Sequence, residues 1–154
     1  MGSQGAFPHS EMKILLIPLS IAVLSGCSAT KPGVRITLGV PKHHKSVSGL
    51  VEFPARITNT SKQSVWFYGV APDWPYYSAF TRSSKSDRWV ELPYGMCGVG
   101  ATAYELARNA SMRFKAIAPA EDAGDEYRVE LSFYTSPGGQ TRSFSVTSAP
   151  TIIQ

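Results

Sequence analysis

From Glu126 to Tyr134 the chain reads EYRVELSFY, and the two classes of side chain alternate along it. Tyr127, Val129, Leu131 and Phe133 fall on one side of an extended backbone, and Arg128, Glu130, Ser132 and Tyr134 on the other. A period of two belongs to a strand with one face on a core and one toward water, which means an antiparallel sheet. Further segments supply partners: VRITLGV from Val34, LVEFPARITNTS from Leu50, SVWFYG from Ser64, YYSAFTRSS from Tyr76, RWVELP from Arg88, SMRFKAIAP from Ser111 and RSFSVTSAPTII from Arg142. Turn-forming residues separate them at Asn59-Thr60-Ser61, Pro72-Asp73, Gly124-Asp125 and Pro137-Gly138-Gly139. Pro54 cannot donate to a ladder and marks an edge or a bulge. Only TAYELARNA, from Thr102, has helical character, and it is short. Seven or eight strands over residues 34–154 predict an all-β sandwich or barrel.

At 154 residues there is room for one domain of ordinary size. With 43% hydrophobic and 17% charged residues the chain can close a core. Two cysteines do not build a disulfide scaffold, and neither they nor the histidines have zinc-site spacing, so no cofactor or metal is expected. The net charge of +4 is mild. No basic stripe or known module points to nucleic acid, and basic residues near the amino end (Lys31, Arg35, Lys42, His43, His44 and Lys45) suit an anionic membrane surface better.

The other constraint is at the front. After Met12 and Lys13 comes an apolar run, Ile14 to Leu24, then Ser25, Gly26 and Cys27. Eleven residues are too few to span a bilayer, which takes about 20, and fit a signal-peptide core of about 7–15. The competing reading is a buried helix or strand. The initial Met-Lys and the missing polar face argue against it.

The sequence Leu24-Ser25-Gly26-Cys27 resembles the lipobox of bacterial lipoproteins. The resemblance implies a signal peptide over 12–26, cleavage before Cys27, a diacylated (palmitate-type) cysteine and a short linker over 27–33. Two or three acyl chains hold a protein on a membrane where one is marginal. Ser28, in place of an aspartate, implies the outer membrane, facing the periplasm. Residues 1–11 carry Glu11 where a signal should be basic, and are read as an upstream extension or cloning remnant.

A second resemblance covers the domain, residues 34–154. ITNTSKQSVWF is similar to the strand–turn–strand entry of bacterial immunoglobulin-like domains, and ELARNASMRF to their Leu-x-x-Gly-x-Ser-x-x-Phe segment, with Asn109 in the glycine's place. Asn tolerates the left-handed backbone that such a turn needs. DAGDEYRV resembles a tyrosine corner, with one residue too many between Asp122 and Tyr127. The resemblance implies a single immunoglobulin-like antiparallel β-sandwich. It brings no functional residue with it, since similar sandwiches serve as accessory proteins and as proteinase inhibitors.

Chemistry is sparse. Cys97 in YGMCGVGA has no histidine placed beside it by the sequence, and G-x-S-x-G is missing. GVGA lacks the lysine and context of a phosphate loop. Glu121, Asp122, Asp125 and Glu126 could offer oxygens to calcium but fit no calcium-loop motif, so a solvated turn is the better reading. His43 and His44 are neighbours and would point to opposite faces of a strand. The chain is therefore expected to be non-enzymatic.

What stands out is APDWPYY. Pro72 and Pro75 make an irregular connection, and aromatics there are less easily assigned to packing. Trp74, Tyr76 and Tyr77 are the candidate binding residues, with a plug over one end of the sandwich as the alternative. The expected role is an interaction or accessory module contacting an envelope protein. The alternatives are a glycan or small-ligand binder and a proteinase-inhibitor-like domain.

Overall fold

A computed structural model describes residues 33–44, 47–93, 100–138 and 143–154. Cys27, its apolar run and Cys97 lie outside them. The described strands are β1 (Val34–Leu38), β2 (Lys42–His43), β3 (Leu50–Asn59), β4 (Val65–Ala71), β5 (Trp74–Pro75), β6 (Ser78–Arg82), β7 (Val90–Glu91), β8 (Thr102–Leu106), β9 (Ser111–Pro119), β10 (Glu126–Tyr134), β11 (Ser143–Thr147) and β12 (Thr151–Ile152). One 3-10 turn, Ala120–Asp122, separates β9 from β10. Eight of these strands have five residues or more and four have two, so the expected seven or eight are the ones that carry the fold. TAYELARNA is not helical. Its first half is β8, paired with β4 from Val65↔Leu106 to Gly69↔Thr102.

All pairings are antiparallel, and they make two sheets. In the first, β3 is central, with β9 on one edge and β1 then β2 on the other. In the second, β10 is central: β11 and β12 share one edge, and β6 and β4 share the other. β8 extends the second sheet beyond β4 and β7 extends it beyond β6. A β1–β3–β9 layer facing a β8–β4–β10–β11 layer is the strand order of an immunoglobulin-like sandwich.

Alternation decides which face is core. Val51, Phe53, Ala55 and Ile57 of β3 meet Tyr127, Val129, Leu131 and Phe133 of β10, all buried. Phe53 stacks on Tyr127 with centroids 4.5 Å apart, and Phe67 meets Phe133 edge-on at 6.5 Å. Each fully buried ring or aliphatic side chain of this kind stabilises the fold by about 1.5–3 kcal/mol.

Pro54 sits in the central strand of the first sheet, not on its edge. It is tolerated because of what faces it. Gly39 N–H donates to Pro54 C=O at 2.7 Å, so the donor that proline lacks would point the same way, into the break between β1 and β2.

Two buried polar devices lock the layers. Asn59 is fully buried; its amide donates to Gln63 C=O (2.9 Å), Leu106 C=O (3.0 Å) and Ala107 C=O (3.2 Å), and its carbonyl accepts from Ser61 N–H at 3.0 Å. The residue read as a turn former thus ties the β3–β4 turn to the end of β8. Tyr127, at the start of β10, donates its hydroxyl back to Ile117 C=O at 2.8 Å, the bond a tyrosine corner makes. Asn109 has φ 59, the only positive value among described non-glycine residues, as its place in the Leu-x-x-Gly-like segment requires.

Candidate functional site

The APDWPYY segment forms a tight hairpin. After β4 the chain turns at Pro72-Asp73 and comes back as β5, pairing Ala71 with Trp74 and Gly69 with Pro75 through a register shift. The approach is so close that a Cβ at Gly69 would lie 2.5 Å from Trp74 O and 3.0 Å from Pro75 Cα. The hairpin needs glycine there. It separates the three candidate aromatics: Trp74 is 53% exposed, while Tyr76 and Tyr77 are half-buried.

Tyr77 belongs to the core margin. Its ring lies 5.7 Å from Phe114, and its hydroxyl accepts from Ile117 N–H at 3.1 Å. Tyr127 takes the carbonyl of the same residue, so two hydroxyls occupy both outward backbone groups of Ile117 on the free side of β9. Burial pushes the Tyr77 phenol up, and the Ile117 hydrogen bond partly offsets this. Burial also raises Tyr127, with a smaller contribution from Tyr77. Tyr76 N–H donates to Tyr68 C=O at 2.9 Å, and among the described residues its buried hydroxyl has no partner.

Trp74 and Tyr77 wall a groove of about 660 Å³. Its other lining residues include Glu52, Pro54, Arg113, Lys115 and Ile117, with Asp73 beside Trp74 and His44 at the β2 side. A shallower hollow of about 240 Å³ continues it toward β1 past Thr37, Arg56 and Arg113. Register explains the set. Glu52↔Ile117, Pro54↔Lys115 and Arg56↔Arg113 are direct cross-strand partners, so these side chains share the face of the first sheet turned away from the core. Lys115 reaches Glu52 at 3.0 Å, leaving Glu52 largely covered and Lys115 mostly exposed. The wall was marked by the prolines; the cationic floor was legible only as the outward half of SMRFKAIAP.

The other candidates stay apart. His43 is exposed, and His44 Nδ1 accepts from Val47 N–H at 3.1 Å. Glu126 pairs with Arg82 across β10 and β6. Burial, then repulsion from Asp125 and Glu121, raises the Asp122 carboxyl. Among the described residues no three His, Cys, Asp or Glu side chains converge as metal ligands. Beyond the groove, the Arg128 guanidinium stacks over Trp89 at 4.1 Å and Phe80 at 5.3 Å, and Arg82 lies 4.9 Å from the same indole.

The fold places the chain in the class of single antiparallel β-sandwiches. Among solved structures it is similar to a Bordetella pertussis protein assigned as ApaA, at a TM-score of 0.55 and 14% identity, covering 79% of this chain and 93% of that one. At that identity the likeness is one of fold. No protein-family model matches the chain, and no curated protein matches it significantly.

Proposed function

We propose that this chain is a lipid-anchored protein of the bacterial envelope whose sandwich is a non-enzymatic interaction or accessory domain. The anchor is Cys27, supported by the order Lys13, apolar run, Leu24-Ser25-Gly26-Cys27. Ser28 favours the outer membrane, with the domain on the periplasmic side. The interaction role rests on one observation: Trp74, a large ring that would normally be covered, is 53% exposed beside a groove floored by Arg113 and Lys115. Trp and Arg are the residue types that concentrate binding energy.

A second reading, a glycan or small-ligand binder, is favoured by the groove's dimensions. At about 660 Å³ it falls among small-molecule sites, and Trp74 and Tyr77 offer ring faces for stacking.

Trp74→Ala tests the interaction role. Truncating an exposed ring should change unfolding free energy by less than about 1 kcal/mol, against about 3–5 kcal/mol for a buried one. The same substitution should abolish cross-linking of the domain to envelope components. A strongly lowered melting temperature with unchanged cross-linking would make Trp74 a structural plug and empty the proposal of its site.

A further inference from the structure

We infer that the outward face of the first sheet lies against anionic lipid headgroups. Five cations stand on that face: Arg35 (paired with Thr58), Lys42 (with Glu52), Arg56, Arg113 and Lys115. All five are exposed, and the same strands place one carboxylate among them, Glu52, already held by Lys115. Arg56 and Arg113 are direct cross-strand partners. Asn59 N–H donates to Ala110 C=O, so the odd-numbered residues of β3 bond to β9 and Arg56 does not. The two arginines therefore form a non-hydrogen-bonded pair, where side chains stand closest and like charges repel. Among the described residues neither has an ion-pair partner. A sheet face spends stability on such a pair unless anions relieve it, and a phosphate-rich surface offers many at once.

Two further features select a membrane over a soluble polyanion. The face is flanked by the exposed indole of Trp74, and tryptophan favours the headgroup boundary, apolar at one end and wet at the other. β1, which carries Arg35, starts seven residues after Cys27, a tether of at most about 25 Å. That second argument rests on the proposed anchor; the charge pattern does not.

The test is co-flotation of residues 28–154, which hold every described strand of the sandwich but neither the acyl-bearing cysteine nor the apolar run that Cys27→Ala would leave uncleaved, so that only the domain reports. Vesicles of neutral phosphatidylcholine are compared with vesicles holding about one-third phosphatidylglycerol. Binding to the anionic vesicles should be more than about tenfold tighter, and about 0.5 M salt should remove the difference. Arg56→Glu with Arg113→Glu should remove it too, without lowering melting temperature. Lys85→Glu with Arg88→Glu, the same charge change in the β6–β7 connection, should preserve it. Equal binding to both vesicles, or equal loss in both double variants, would overturn the inference. So would capture by heparin with no preference for anionic vesicles, which would point to an acidic glycan. Fatty-acid labelling of the parent reads the anchor separately, so failure of this face and failure of the lipoprotein reading give different results.

Discussion

Asn59 shows how a single polar side chain can hold an entire corner of a sandwich. Three backbone carbonyls, those of Gln63, Leu106 and Ala107, accept from its amide, and the bond to Leu106 is fully buried. Truncation would remove the buried donor to Leu106 C=O together with the two part-buried bonds, and an unsatisfied buried polar group costs about 1–3 kcal/mol. Asn59→Ala should therefore lower unfolding free energy by about 2–4 kcal/mol in urea. Asn59→Asp keeps the shape but loses the donor, and should be at least as damaging. The sequence identified this residue as a turn former, which is true but partial. Local propensity marks Asn before a polar turn; nothing local says that Leu106, forty-seven positions on, lies within reach. Asn109 was the opposite case. Its left-handed backbone is a local demand, and the motif around it sufficed.

At the scale of elements, strands with an uninterrupted period were legible and short ones were not. β10 has the core face its alternation predicted, because both faces are defined along its whole length. TAYELARNA misled because Ala, Glu, Leu and Arg favour helix, while pairing with β4 decides the matter. The β4–β5 hairpin makes a sharper claim. Gly69 is needed because Trp74 O and Pro75 Cα crowd the space a methyl would fill. Gly69→Ala should destabilise by about 1–3 kcal/mol, and by moving β5 it should change the emission of Trp74. An unchanged spectrum and an unchanged midpoint would mean that the hairpin is looser than described. The candidate site was half-read for the same reason: prolines announce an irregular segment, but Arg113 and Lys115 join Trp74 only through the pairing of β3 with β9.

For the whole molecule, the two tyrosines that bond Ile117 join β10 and the β5–β6 segment to the free side of β9. Both phenols titrate above their ordinary range, chiefly through burial. In the unfolded chain they lose protons near pH 10, while in the folded protein they keep them. The unfolded state then binds fewer protons, so stability is fully present below about pH 10 and falls as pH rises beyond it. Tyr127→Phe should cost about 1–2 kcal/mol at neutral pH by removing the bond to Ile117. Its stability should also fall less steeply under alkali, so that the gap to the parent narrows. A constant gap from about pH 8 to pH 11 would show that burial of that hydroxyl is not what the fold stores there.

What the domain does depends on where it is held. The direct measurement is incorporation of labelled palmitate in bacterial cells, with the parent chain and Cys27→Ala compared and the acylated residue located by mass spectrometry. A lipoprotein predicts label in the parent, on a chain whose amino terminus is Cys27, and none in the variant, which should persist as a longer precursor. Equal labelling of both, or an unlabelled parent that leaves the cell envelope in the soluble fraction, would contradict the anchored reading.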